Sequence, residues 1–178
     1  QELNVDGGYG SDLILQFGTP ATLAQYPEWT FTMWQYVKSD ENFDGRAHID
    51  LSQNVIQPDG TGFAEGSWIV ADGGTGNIEH ISGTPAAAIL VKDQWAELRW
   101  EIDLANDAYE FYYDGTLVHT DSWNGTTFSS LNFWATEGTV SNARVYYDDW
   151  SLQGIPEPAS VALACCGLLG LFLLRRRG

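Results

Sequence analysis

The first 164 residues contain no cysteine; the only two, Cys165 and Cys166, are adjacent near the C-terminus. No intramolecular disulfide can therefore support the main body of the chain. Adjacent thiols in an apolar run read as small packing residues rather than a redox pair. Basic residues are scarce as well. The chain has twenty-four Asp and Glu against eight Lys and Arg, and three of those eight are Arg175, Arg176 and Arg177. All acidic residues precede residue 158, so five cations there face twenty-four anions, an excess of nineteen. Such a surface repels nucleic acid and anionic membranes, which excludes a nucleic-acid partner. No segment before the tail has a helical period. Serine and cysteine nucleophile motifs are missing. His48, His80 and His119 have no ligand-spaced neighbours, are expected on strand surfaces or edges, and do not read as zinc ligands or catalytic groups. The glycine-rich run 72–76 precedes no helix and reads as a turn, not a phosphate cradle. The chain starts at Gln1 without a charged, apolar leader, and the expectation is a signal peptide lost by processing or truncation.

What is present is a series of short runs in which aromatic and β-branched residues alternate with polar ones, separated by Gly, Asn and Asp. Strands are predicted at 12–17, 29–37, 47–51, 67–71, 77–81, 95–104, 109–113, 117–120, 131–136 and 144–152. In 95–104 the alternation is strict. Ala96, Leu98, Trp100, Ile102 and Leu104 fall on the core side, and Trp95, Glu97, Arg99, Glu101 and Asp103 on the other. Asp114-Gly115 marks a tight hairpin. The expected architecture is an all-β antiparallel β-sandwich or jelly roll over residues 1–153.

The tail, 154–178, is different chemistry. Pro156-Glu157-Pro158 is followed by sixteen uncharged residues, 159–174, and then by the three arginines. As a helix that run spans roughly 24 Å, short of the roughly 20 residues a membrane span prefers. Arginine stems extend its reach by snorkelling. It has no polar stripe, which argues against a buried core helix. A transmembrane helix is expected, with the arginines in the cytoplasm and the acidic body outside. The order of proline-flanked glutamate, apolar run and arginine cluster resembles the PEP-CTERM sorting signal, a tail family also called the ice-binding protein C-terminal domain. That resemblance implies an exosortase partner that recognises Pro156, Glu157 and Pro158. It also implies a chain that is single-pass before processing and then reaches the cell surface or extracellular matrix.

A second resemblance lies in the body. The segment 95–104, then 109–115 with its Tyr-Asp-Gly hairpin, then 145–152 with Asp148-Asp149, looks like the second half of a laminin-G-like, concanavalin A-like sandwich. Retaining glucanases on that fold carry Glu-x-Asp-x-(x)-Glu on one strand. Glu101-Ile102-Asp103 begins the pattern, but Ala105 and Asn106 follow where the acid should sit, so no catalytic residue is assigned. The resemblance also implies calcium at a loop rim. Asp40 and Asp44 are the candidate ligands, since Asp148 and Asp149 would point to opposite faces of a regular strand. Of eight tryptophans, about six are expected in the core. Trp34 and Trp123, each among polar residues, are the candidates for stacking on sugar rings. The sequence thus reads as a non-catalytic exported surface or matrix protein associating with extracellular polysaccharide. A divergent glycan hydrolase using Glu101 and a structural adhesion protein without a small ligand are the alternatives.

Overall fold

The computed structural model describes residues 13–22, 24–39, 44–54, 64–82, 88–136 and 145–156. The tail from Glu157 onward, with its expected membrane helix and Arg175–Arg177, lies outside the described residues, as does Asp40. Among the described residues no helix is long and apolar enough to cross a membrane. Eleven strands lie among them: β1 Leu13–Thr22, β2 Glu28–Val37, β3 Arg46–Ser52, β4 Glu65–Asp72, β5 Asn77–His80, β6 Ala88–Ile89, β7 Trp95–Asp103, β8 Ala108–Tyr113, β9 Thr116–Asp121, β10 Thr127–Thr136 and β11 Val145–Ile155. They form a six-stranded sheet, β1-β10-β3-β4-β5-β6, and a five-stranded sheet, β11-β2-β7-β8-β9, with every pairing antiparallel.

Period-two alternation makes the two sheets close on one another. On β7, Ala96, Leu98, Trp100 and Ile102 are all 1 % exposed or less. On β2, Trp29, Phe31, Met33 and Val37 face the same core. Each large apolar side chain buried there contributes about 1.5–3 kcal/mol relative to exposure. Phe31 packs on Trp100 and Phe128 at ring distances of 5.7 and 5.6 Å. Polar atoms that enter this layer bring partners. Gln35 donates to the Tyr147 hydroxyl at 3.1 Å, and the Trp100 indole donates to Ser67 Oγ at 3.0 Å.

The turns follow local chemistry. Asp114 and Gly115 take φ values of 46° and 76°, the left-handed pair that a two-residue hairpin needs. Between β7 and β8, the Asp103 carboxylate accepts the amides of Ala105 and Asn106 at 3.0 and 2.9 Å. β11 is irregular where regular geometry was expected. Three residues of β11 span two of β2 between Asp148 and Ser151, and Asp149 has φ 47°. This bulge removes the simple rule that Asp148 and Asp149 point to opposite faces. β11 continues to Ile155, paired with Glu28, so sheet pairing runs two residues past position 153.

Candidate functional site

The outer face of the five-stranded sheet carries an aromatic patch built by register alone. Tyr36 on β2 pairs with Tyr146 on β11 and Trp95 on β7, so three rings share one row. Tyr36 lies 5.4 Å from Trp95 and 6.3 Å from Tyr146, ring centre to ring centre. In the next row Trp34 is paired with Asp148 on one side and Glu97 on the other. Trp34 is 38 % and Trp95 46 % exposed. Tyr36, Lys38, Trp95, Tyr146, Tyr147 and Asp148 line a cleft of 370 Å³. The Lys38 ammonium sits 5.4 Å from the centre of the Tyr146 ring, a cation–π distance. Open indole and phenol faces beside carboxylates and an ammonium offer both an apolar platform and hydrogen-bond partners.

Further along the face, Arg99 reaches Glu101 and lies 3.6 Å from Glu97, with its guanidinium 4.2 Å above the Tyr112 ring. Glu101 stands directly across from Glu110 on β8. Sequence reading along one strand found no second acid; the second glutamate comes from the adjacent strand. Arg99 holds Glu101, and the Tyr112 hydroxyl donates to Glu110. A cleft of 410 Å³ at this end is lined by both and by Glu28, Thr30, Asp103 and Ile155.

Of the two tryptophans expected to stack on sugars, only Trp34 is on an open face. Trp123 is completely buried. Its indole donates to the Thr127 carbonyl at 2.9 Å and packs edge-on to Phe128 and Tyr109. Gly66 makes room for it, since a Cβ there would lie 2.6 Å from the indole. The polar neighbours that made Trp123 look exposed belong to a bend in which Asn124 takes φ 60° and donates its amide to Asp107. The expected core set of about six also contracts to three: Trp29, Trp100 and Trp123. Trp150 is 51 % exposed beside Phe17, and Trp68 and Trp134 are half-buried.

The last two form a second aromatic group, on the outer face of the six-stranded sheet, which the sequence reading missed. Trp134 and Val70 flank His48 in register, and Asn132 and Trp68 flank Asp50. The Trp134 ring stacks parallel to His48 at 4.9 Å, and Trp68 donates its indole proton to His48 Nδ1 at 3.0 Å. His48 is 5 % exposed, Asp50 is fully buried and Asn132 is 8 % exposed. Burial first, then the Arg46 guanidinium, lower the His48 pKa to about 4, against a smaller opposing pull from Asp72. The ring is therefore neutral near pH 7, with Nδ1 accepting and the proton on Nε2. Arg46 is bound to Asp72 at 2.7 Å. His48 and His80 are thus buried rather than on open strand surfaces, while His119 lies on β9, an edge strand. His80 and His119 lie far apart in sequence, yet they stack at 3.8 Å with 8° between their planes, and His80 meets the Tyr109 hydroxyl at 3.2 Å. Alternation puts each of these residues outside or inside its own strand; only strand order brings them together.

Asp44 is described and partly buried, without Asp40 beside it in the described set. Among the described residues, no three His, Cys, Asp or Glu side chains converge on a metal position.

This arrangement defines the class as an all-β, two-sheet antiparallel sandwich. Residues 154–177 match the family described as the PEP-CTERM protein-sorting motif, so the chain carries that motif at its C-terminus. Among solved structures, the chain resembles the carbohydrate recognition domain of Emp46p in its potassium-bound form. The TM-score is 0.59 at 11% identity, with 86% of this chain and 83% of that one covered. It also resembles the botulinum neurotoxin serotype D ligand binding domain in complex with N-acetylneuraminic acid (TM-score 0.52, 11% identity, 88% and 39% covered). A third neighbour is a sialidase (TM-score 0.55, 11% identity, 80% and 14% covered). The chain thus spans well under half the length of the toxin and sialidase chains. At these identities the likeness is one of fold. No curated protein matches the sequence.

Proposed function

We propose that the chain is an exported, exosortase-sorted surface protein whose sandwich, residues 1–153, binds extracellular polysaccharide and does not catalyse. Exosortase and the membrane are its transient partners through 154–178. The 159–174 helix crosses the bilayer with Arg175–Arg177 in the cytoplasm until processing near Pro156-Glu157-Pro158. The observation that carries the binding assignment is the row Tyr146–Tyr36–Trp95 with Trp34 beside it, its two tryptophans exposed and its two tyrosines half-buried. A sorted protein that leaves large rings in water at the centre of a sheet keeps an apolar surface that a partner must cover. Pyranose rings present flat C–H faces edged by hydroxyls, which match indole faces flanked by carboxylates. The sorting motif and the carbohydrate-recognition fold of Emp46p agree with this reading.

Affinity electrophoresis through gels containing soluble polysaccharides tests it. Wild type should be retarded by at least one polymer. Trp34→Ala and Trp95→Ala should each weaken retardation roughly fivefold, about 1 kcal/mol per stacked ring. Unretarded wild type across the panel, or variants that bind as wild type does, would refute the assignment.

One observation favours a second reading, a divergent glycan hydrolase. Glu101 and Glu110 are directly opposed, and opposed Cβ atoms on neighbouring strands lie about 5 Å apart. Retaining hydrolysis needs two carboxyl groups at about that separation. Both acids, however, are already held, one by Arg99 and one by Tyr112. Hydrolysis of those polymers that disappears in Glu101→Gln and Glu110→Gln would establish the enzyme; equal, null activity in all three proteins supports binding alone.

A further inference from the structure

The shape of the aromatic row limits the physical form of polysaccharide it can hold. Tyr146, Tyr36 and Trp95 stand on three neighbouring strands, β11, β2 and β7. Their planes do not agree: Tyr36 is turned 52° from Trp95 and 68° from Tyr146. Neighbouring strands twist by only about 20–25°, so the tilt is set by the side chains and not by the sheet alone. The tilted rings, with Lys38, Tyr147 and Asp148, wall a cleft of 370 Å³. That is near the low end of the roughly 300–1,000 Å³ of small-ligand sites. The row is also short. β11 is the edge of its sheet, and β8 pairs with β7 only from Leu98 onward, so no described strand extends the row beyond Trp95. Three strands span two spacings, about 10 Å, room for about two sugar rings.

We propose that this cleft takes a single soluble polysaccharide chain, laid across the strands, and not the flat face of a crystalline polymer. The proposal rests on the polysaccharide-binding reading above and adds the form of the ligand. In an ordered solid the sugar rings lie in parallel planes and cannot turn. Only side-chain rings that share a plane can all stack on such a face, and Tyr146, Tyr36 and Trp95 do not share one. A free chain rotates about its glycosidic bonds, so each sugar can settle on its own aromatic ring. It is also narrow enough to sink between the walls. Depth separates the two modes in the same way. Tyr36 and Tyr146 are half-buried, while Trp34 and Trp95 are exposed. A rigid surface resting on the two indoles is held off the tyrosines, whereas a chain inside the cleft reaches both. The tyrosines are therefore contacts in one mode and bystanders in the other. Tyr146 is the clearer reporter of the two, because β11 is an edge strand and β2 a central one.

The same sugars in two physical forms test the inference. Hydroxyethyl cellulose and glycol chitin are soluble chains, suited to affinity electrophoresis, and dextran extends that panel. Microcrystalline cellulose and crystalline chitin are the ordered solids, suited to pull-down. Wild type should be retarded by at least one soluble polymer and stay in the supernatant over both solids. On a polymer that retards wild type, Tyr146→Val should weaken retardation roughly fivefold, as expected for one lost stacking ring. Valine is a strand-favouring residue, so the edge of the sheet is kept. Retention of wild type by either solid, or Tyr146→Val retarded as wild type is, would overturn the proposal and leave polysaccharide binding intact. Wild type unretarded by every soluble polymer would overturn both.

Discussion

The two outer faces of the sandwich use the same side-chain types to opposite ends. On the five-stranded sheet, Trp34 and Trp95 are exposed to solvent, with half-buried Tyr36 and Tyr146 beside them. On the six-stranded sheet, Trp68 and Trp134 lean together over β3, 5.1 Å apart, and cover His48. The difference lies in what stands on the middle strand. β2 puts a large ring at the centre of its row, so its neighbours cannot close over it. β3 puts His48 and Asp50 there, and the indoles of Trp134 and Trp68 lie against His48. Burial then demands partners, which is why Trp68 and His48 share a hydrogen bond while Trp34 has carboxylates on both sides. One face closes over its polar residues; the other is the face proposed above to take a ligand.

The comparison can be sharpened from its stability side. The reference for the largest effect is Trp123→Ala. It removes a fully buried indole against Phe128, Tyr109 and Gly66 and should cost about 3–5 kcal/mol, seen as a lower denaturation midpoint. Trp68→Phe keeps a ring but strips His48 Nδ1 of its donor. It should cost about 1–3 kcal/mol without changing retardation by polysaccharide. If Trp68→Phe abolished retardation at unchanged stability, the roles of the two faces would have to be exchanged.

Acid should reveal the closed face as well. Burial, then the neighbouring Arg46, hold His48 at about 4; burial, then His119, hold His80 at about 4. An unfolded histidine takes its proton near 6.5. Between these values the unfolded chain binds protons that the folded chain refuses. Stability is therefore fully present above about pH 6.5, falls through the window down to about 4, and flattens below it. The Asp72 carboxyl is also lowered: its Thr75 and Arg46 hydrogen bonds outweigh the burial that pushes the other way. Its contribution is lost only below the ordinary carboxylate range, so the two effects separate on a pH scale. Thermal unfolding from pH 8 to 3 should show the first decline. His80→Asn should flatten part of it, and a flat wild-type profile between 6.5 and 4 would contradict the buried, neutral assignment.

Much of the fold was legible locally. The strict alternation of β7 and the Asp114-Gly115 hairpin were read correctly because each depends on residues within one or two strands. The site was less legible. Trp34 was expected on an open face, and alternation along β2 does leave it 38 % exposed. Trp123 was misplaced because a left-handed bend at Asn124 turns it inward, against sequence-distant Gly66. Glu110 was missed as the partner of Glu101, and Trp68 and Trp134 as the cover of His48, since cross-strand register is long-range information. Asp148 and Asp149 were judged by the geometry of a regular strand that the bulge in β11 interrupts.

The smallest expected effect is also the most discriminating. Trp34 is 38 % exposed, so part of its ring does pack across the strands onto its neighbours. Replacing it with threonine keeps a strand-favouring residue at a central position and loses only cross-strand contact, about 0.2–1 kcal/mol. That loss should appear as a slight drop in the denaturant midpoint with an unchanged slope, because the core beneath, Phe31 and Met33, is untouched. A fall comparable to that of Trp68→Phe would mean that Trp34 is structural cover like its counterpart on the other sheet. A small fall accompanied by lost retardation would separate the two faces cleanly. Stability and binding would then be carried by different tryptophans of one sandwich, as the arrangement of their middle strands requires.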